Sequence, residues 1–200
     1  MILLLSKASN LYWLGRFMIR IDGICRLLPF TDDHEALEYS QAFGLPAWDS
    51  ATLNQLMYDA SQPASIPSNL QVVRENMQYV RGVISQELFE CLNILTSPRQ
   101  QFKDRACGLI SDCCETIIDE DDNVRLFWQL GQSIEQIDIA LRLKHSPEMA
   151  ILDLRTVIEM LSPIGWQALE APWVELQQRQ DITALYNFCD QMQASFEEGP

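Results

Sequence analysis

Apolar residues recur along this chain at intervals of three and four, the spacing that lines up side chains on one face of an α-helix. From about residue 4 to 28, Leu11, Leu14, Met18, Ile21, Cys25 and Leu28 form one such stripe, and Pro29 predicts its end. Asp32 or Asp33, and then Asp49-Ser50, predict caps for two short helices reaching Phe43 and about Ala60, with a loop from Ser61 to Pro67. Ser68-Asn69-Leu70-Gln71 has the form of a capping box and predicts a long middle helix over about 68–95. Its stripe is Val73, Met77, Val80, Ile84, Leu88, Cys91 and Leu95. Ser97-Pro98 predicts a restart into a helix near 98–118, with proline at the first helical position. The acidic run from Asp119 to Asn123 reads as a linker into a helix over about 124–143. Ser146-Pro147-Glu148 opens another helix to about Leu161, and shorter stretches near Trp173–Gln178 and Asp181–Phe196 finish the chain. Nothing alternates with period two for long enough to argue for a sheet. The expected fold is an all-α helical bundle, one domain over residues 1–200 with a C-terminal helical tail at 161–200.

Two of these helices resemble each other. Placing Leu11–Leu27 over Phe127–Leu143, 116 residues on, aligns Leu14 with Leu130, Gly15 with Gly131, Ile21 with Ile137, Asp22 with Asp138, Arg26 with Arg142 and Leu27 with Leu143. Tyr12 meets Trp128 in the same register. Matching leucines are common between amphipathic helices, but matching glycine, aspartate and arginine in one register indicates an internal duplication. The shared positions step by three and four, so each copy carries a stripe beside its apolar seam. A mid-helix glycine costs about 1 kcal/mol against alanine, and is tolerated best where another backbone must come close. The sequence therefore predicts two related helices packing glycine to glycine, with the Asp-Arg pairs fixing the register. The same stripe could alternatively line a pocket or a partner-binding groove.

Composition narrows the functions open to such a bundle. The formal charge of −14 makes a phosphate backbone an unfavourable partner, so no nucleic acid is expected. The opening Met1-Ile2-Leu3-Leu4-Leu5 lacks a basic flank and a cleavage site, and no apolar run is long enough to span a membrane. A soluble, cytoplasmic protein is the expectation. None of the six cysteines, Cys25, Cys91, Cys107, Cys113, Cys114 and Cys189, sits in a C-x-x-C pair, and they read as reduced, small core residues. Asp119, Asp121 and Asn123 begin like a calcium loop, but Val124 stands at the required glycine and Leu130 at the bidentate glutamate. The paired Glu-x-x-His of a di-metal bundle is also missing, and no metal is expected.

Three blocks of the chain resemble the Alpha-E domain family, named for a helical domain with a recurring Glu-Arg motif. They are Ser6-x-x-x-Asn10-Leu-Tyr-Trp-Leu-Gly-Arg16, the segment from Arg74 through Arg81 and Glu87 to Asn93, and Phe127-Trp-Gln-Leu-Gly131 through Arg142. The resemblance covers about residues 3–160. Each half keeps one member of the Glu-Arg pair: Ile19 stands at the first glutamate position beside Arg20, and Gln136 at the second arginine position beside Glu135. The family's leading arginine is kept as Arg16 and replaced by Gln132 in the second copy. We therefore expect Arg16 or Arg20 to pair with Glu135. The family is associated with circularly permuted ATP-grasp ligases, and sometimes with transglutaminase-like proteins, in systems that make or modify peptides. The resemblance thus implies a non-catalytic partner subunit of such a ligase, in a hetero-oligomer with a possible peptide substrate. The chain lacks a glycine-rich phosphate loop, so ATP would be bound by the partner and no cofactor is expected here.

The residues expected to bind substrate or partner are Arg16, Arg20, Asp22, Arg26, Arg74, Glu75, Asn76, Arg81, Glu87, Glu90, Glu135, Asp138 and Arg142. Arg16, Arg20, Arg74 and Arg81 suit a carboxylate or acyl phosphate, since the guanidinium fork matches both. Salt bridges to Glu75, Glu87 and Glu90 would equally account for them. The alternative function is an enzyme in its own right, with Glu135 and Asp138 as acid and base and the arginines holding an anionic substrate. A structural homodimer without a ligand is a third reading.

Overall fold

A computed structural model describes residues 3–97 and 102–199, with side chains described for all of these except 102–107 and 198. Ten α-helices and no strand occur among the described residues, so the protein is all-α. The helices are α1 (Leu5–Leu27), α2 (Asp33–Phe43), α3 (Ser50–Tyr58), α4 (Ile66–Val80) and α5 (Gln86–Leu95). They continue with α6 (Phe102–Thr116), α7 (Asp122–Arg142), α8 (Glu148–Leu161), α9 (Glu170–Arg179) and α10 (Ile182–Glu198). The expected first helical position of α6, Pro98, falls in 98–101, outside the described residues.

The chain gathers into two compact units, Met1–Arg16 with Asp121–Pro200, and Phe17–Glu120. In the first, α7 packs along α8, and α10 packs on both α7 and α9. The residues read as a tail are thus part of this core, with Leu169, Leu176, Leu185 and Phe188 fully buried. An aromatic cluster knits the unit together: Phe196 lies 5.1 Å from Trp166, 5.7 Å from Tyr12 and 6.1 Å from Phe127, centroid to centroid. Offset and edge contacts of this kind add about 0.5–1.5 kcal/mol each beyond their buried area.

In the second unit, Met18, Ile21, Leu53, Val73, Met77, Leu88 and Leu92 are fully buried. Asp32 caps α2 by accepting from the backbone N–H groups of His34 and Glu35, and Asp49 caps α3 in a capping box with Thr52. Asn54 donates to the Phe30 carbonyl at 2.8 Å and accepts from the Phe30 N–H at 2.9 Å, tying α3 to the segment after α1.

The long middle helix expected over 68–95 is two helices, α4 and α5, broken by a turn at Arg81-Gly82. The apolar stripe continues across the break because Val80, Ile84 and Leu88 all reach the core, and so periodicity alone hides it. The physical cause lies at Ser85, whose hydroxyl accepts from the Leu88 N–H and starts α5 afresh. The expected cap at Ser68 is likewise Ser65, with Pro67 in the first turn of α4. Glu120, read as part of a solvated acidic linker, is buried, and both its carboxylate oxygens accept from the Ser85 N–H, at 2.9 and 3.0 Å. A carboxylate there also complements the positive end of α5. Glu120→Ala is expected to destabilise the protein by about 2 kcal/mol, since it strands a backbone donor that now bonds a charged group. Urea denaturation of the variant checks this.

Candidate functional site

Gly15 of α1 and Gly131 of α7 bring the duplicated helices together. A Cβ built on Gly15 would lie 2.1 Å from the carbonyl oxygen of Trp128, and one on Gly131 would lie 2.0 Å from that of Tyr12. The next nearest atoms correspond too, with Gln132 N facing Gly15 and Arg16 N facing Gly131. Each contact is the other shifted by the repeat, so the two helix segments cross about a local twofold. Backbone meets backbone there, which explains why glycine stands in both copies at a cost in helix propensity.

The close crossing sets Tyr12 and Arg16 against Glu135. Arg16 Nε donates to Glu135 Oε2 at 2.8 Å, and Arg16 Nη1 donates to the Tyr12 hydroxyl at 3.0 Å. The guanidinium also lies over the Trp13 ring, 5.4 Å from its centroid. The Arg16 side chain keeps 13% of its exposure and that of Glu135 only 1%. Burial raises the Tyr12 hydroxyl well above the usual phenol range, with Arg16 working against it. Burial alone would lower the Arg16 pKa, but Tyr12 and Glu135 beside it reverse the direction and hold it above the ordinary value. Cys189 belongs to the same cluster. Burial pushes its thiol up to about 11, with the Arg16 guanidinium working against the rise.

Further along each copy the Asp-Arg pair takes its predicted intrahelical form. Arg142 Nε donates to Asp138 Oδ2 at 2.9 Å, and Arg142 Nη2 reaches the Tyr186 hydroxyl at 2.5 Å. In the second unit, Arg26 Nε donates to Asp22 Oδ2 at 2.7 Å. In both copies the aspartate Oδ1 is buried and meets no hydrogen-bond donor among the described residues.

The remaining expected residues do different work. Arg20 stacks on Phe17 and Arg81 on Phe89, with centroid distances of 5.0 and 4.8 Å. Glu75 accepts from Gln71 and Glu90 from Gln86, both one turn away, while Asn76 donates to the Val72 carbonyl. Arg74 and Glu87 are exposed on α4 and α5. Trp128 is fully buried, which settles its part in the core. Sequence reading missed Tyr12 and Cys189 as neighbours of Arg16. Tyr12 could have been found, since it lies one turn before Arg16; Cys189 comes from α10, and no local spacing announces it.

A duplicated, glycine-crossed helix pair bridged by the buried Arg16–Glu135 bond defines an all-helical domain. A family model described as a predicted alpha-helical domain with a conserved ER motif matches residues 4–148. The chain belongs to this family, Alpha-E. No curated protein and no solved structure matches it.

Proposed function

We propose that this chain is a cytoplasmic, non-catalytic partner subunit of a circularly permuted ATP-grasp-type ligase, and that it helps to bind or position substrate as peptides are made or modified. Family membership supports this reading through the association of Alpha-E domains with such ligases. The observation that carries it is the Arg16–Glu135 bond, together with the Arg142–Asp138 pair on the same helix as Glu135. Glu135 and Asp138, the carboxylates of the acid–base alternative, are each paired with an arginine, which suits a scaffold better than a poised catalyst. Nucleotide and phosphoryl chemistry then reside in the partner.

Mild affinity purification from the native cell, with mass spectrometry of whatever co-elutes, tests the proposal. An ATP-dependent ligase is expected at equal stoichiometry. Recovery of the chain alone, as monomer or homodimer, would overturn the partner reading.

A further inference from the structure

A cleft of about 260 Å³ opens between α7 and α8. Its α7 wall is Gln129, Gln132, Ser133 and Gln136, and Asp153, Thr156 and Val157 of α8 face them. The internal repeat explains why there is space here. The same four positions of the first copy are Trp13, Arg16, Phe17 and Arg20. There, two guanidiniums lie over two aromatic rings, Arg16 on Trp13 and Arg20 on Phe17. In the second copy three amides and a hydroxyl replace them, removing two positive charges and two rings. Ser133, at the position of Phe17, is 3% exposed and lines the cleft.

What remains has a definite chemistry. Asp153 is the single charged residue among the described residues lining the cleft, in a chain of net charge −14. An anion would meet only a carboxylate, with no guanidinium or ammonium to offset it. A cation is favoured by that charge, while the glutamine amides offer both acceptors and donors in a row along one helix face. The volume falls just below the roughly 300–1,000 Å³ of sites for drug-sized molecules. We infer that the α7–α8 cleft binds the unblocked amino end of a short peptide, its ammonium on Asp153 and its backbone amides along Gln129, Gln132 and Gln136. Thr156, beside Asp153 in sequence by one turn, supplies a further hydroxyl to the same wall.

This inference goes beyond the partner role and does not depend on it, because binding is measured on the isolated full chain. The probe is glycylglycinamide, titrated while the glutamine side-chain amide signals are followed by NMR. N-acetylglycinamide, which lacks the ammonium, is the matched control. Saturable shifts at Gln129, Gln132 and Gln136 are expected with the first compound and much weaker ones with the second. Asp153→Asn, at an exposed position, is expected to weaken binding about three- to fivefold, the effect of one exposed ion pair. Gln136→Arg, which restores the residue type of the first copy, should weaken it further. An unsaturable response to glycylglycinamide, equal binding of the acetylated control, or an unchanged affinity in Asp153→Asn would each overturn the inference. Loss of ligase co-purification would leave it standing.

Discussion

Gly131→Ala should destabilise this protein by about 3 kcal/mol, at the upper end of what overpacking a core costs. The added methyl would sit 2.0 Å from the Tyr12 carbonyl oxygen and within 3 Å of the Arg16 nitrogen. Both neighbours are helix backbone, so no side chain can swing aside, and the two helices must part along the crossing. In an exposed helix the same change would stabilise by up to about 1 kcal/mol, which makes the sign of the effect diagnostic. Gly15→Ala should cost a similar amount, because its methyl would lie 2.1 Å from the Trp128 carbonyl oxygen. Gly108→Ala, where a Cβ meets nothing within 4 Å, is the control expected to be neutral or mildly stabilising. Thermal or urea unfolding of the three variants settles the point; a neutral Gly131→Ala would mean that the helices do not cross here.

Breaking the Arg16–Glu135 bond is the second large effect. Removing one partner of a buried ion pair typically costs about 3–5 kcal/mol, because a charge is left in a poorly solvated place. Glu135 is the more deeply buried of the two, at 1% against 13%. Arg16→Gln should therefore cost more than Glu135→Gln, which leaves a guanidinium that can still lie over Trp13 and reach solvent. The double variant should be less damaged than the sum of the singles, with a coupling of about 1–3 kcal/mol. Additive costs would show that the bond contributes nothing to stability.

Much of this was legible from residue order, and the exceptions have local causes. The helical class, the ends of α1 and α7 and the glycine-to-glycine packing all follow from features that act within one or two turns. The aspartate and arginine of each copy are one turn apart, so their pairing needed no tertiary information. The break between α4 and α5 escaped because the apolar period survives it. Ser85 is a cap only if the preceding turn is known, and serine in the sequence does not say so. Glu120 escaped because five polar residues in a row read as solvated, while its actual partner, the Ser85 N–H, is 35 positions away. The cleft was illegible for a different reason. Three glutamines at helical spacing look like an ordinary wet face until α8 is seen opposite them.

The crossing at Gly15 and Gly131 also bears on how such a protein can change. A twofold contact between like helices is the joint that two identical chains would make, and here both partners lie in one polypeptide. In a true homodimer, any substitution appears on both sides of the axis at once. Fusion lifts that constraint. The joint itself needs only a few positions in each copy, and the faces turned away from it are free to follow separate histories. One copy carries rings and guanidiniums on its face, while the other carries neutral amides and a hydroxyl beside an open cleft. The molecule is in effect a dimer that has been allowed to become lopsided.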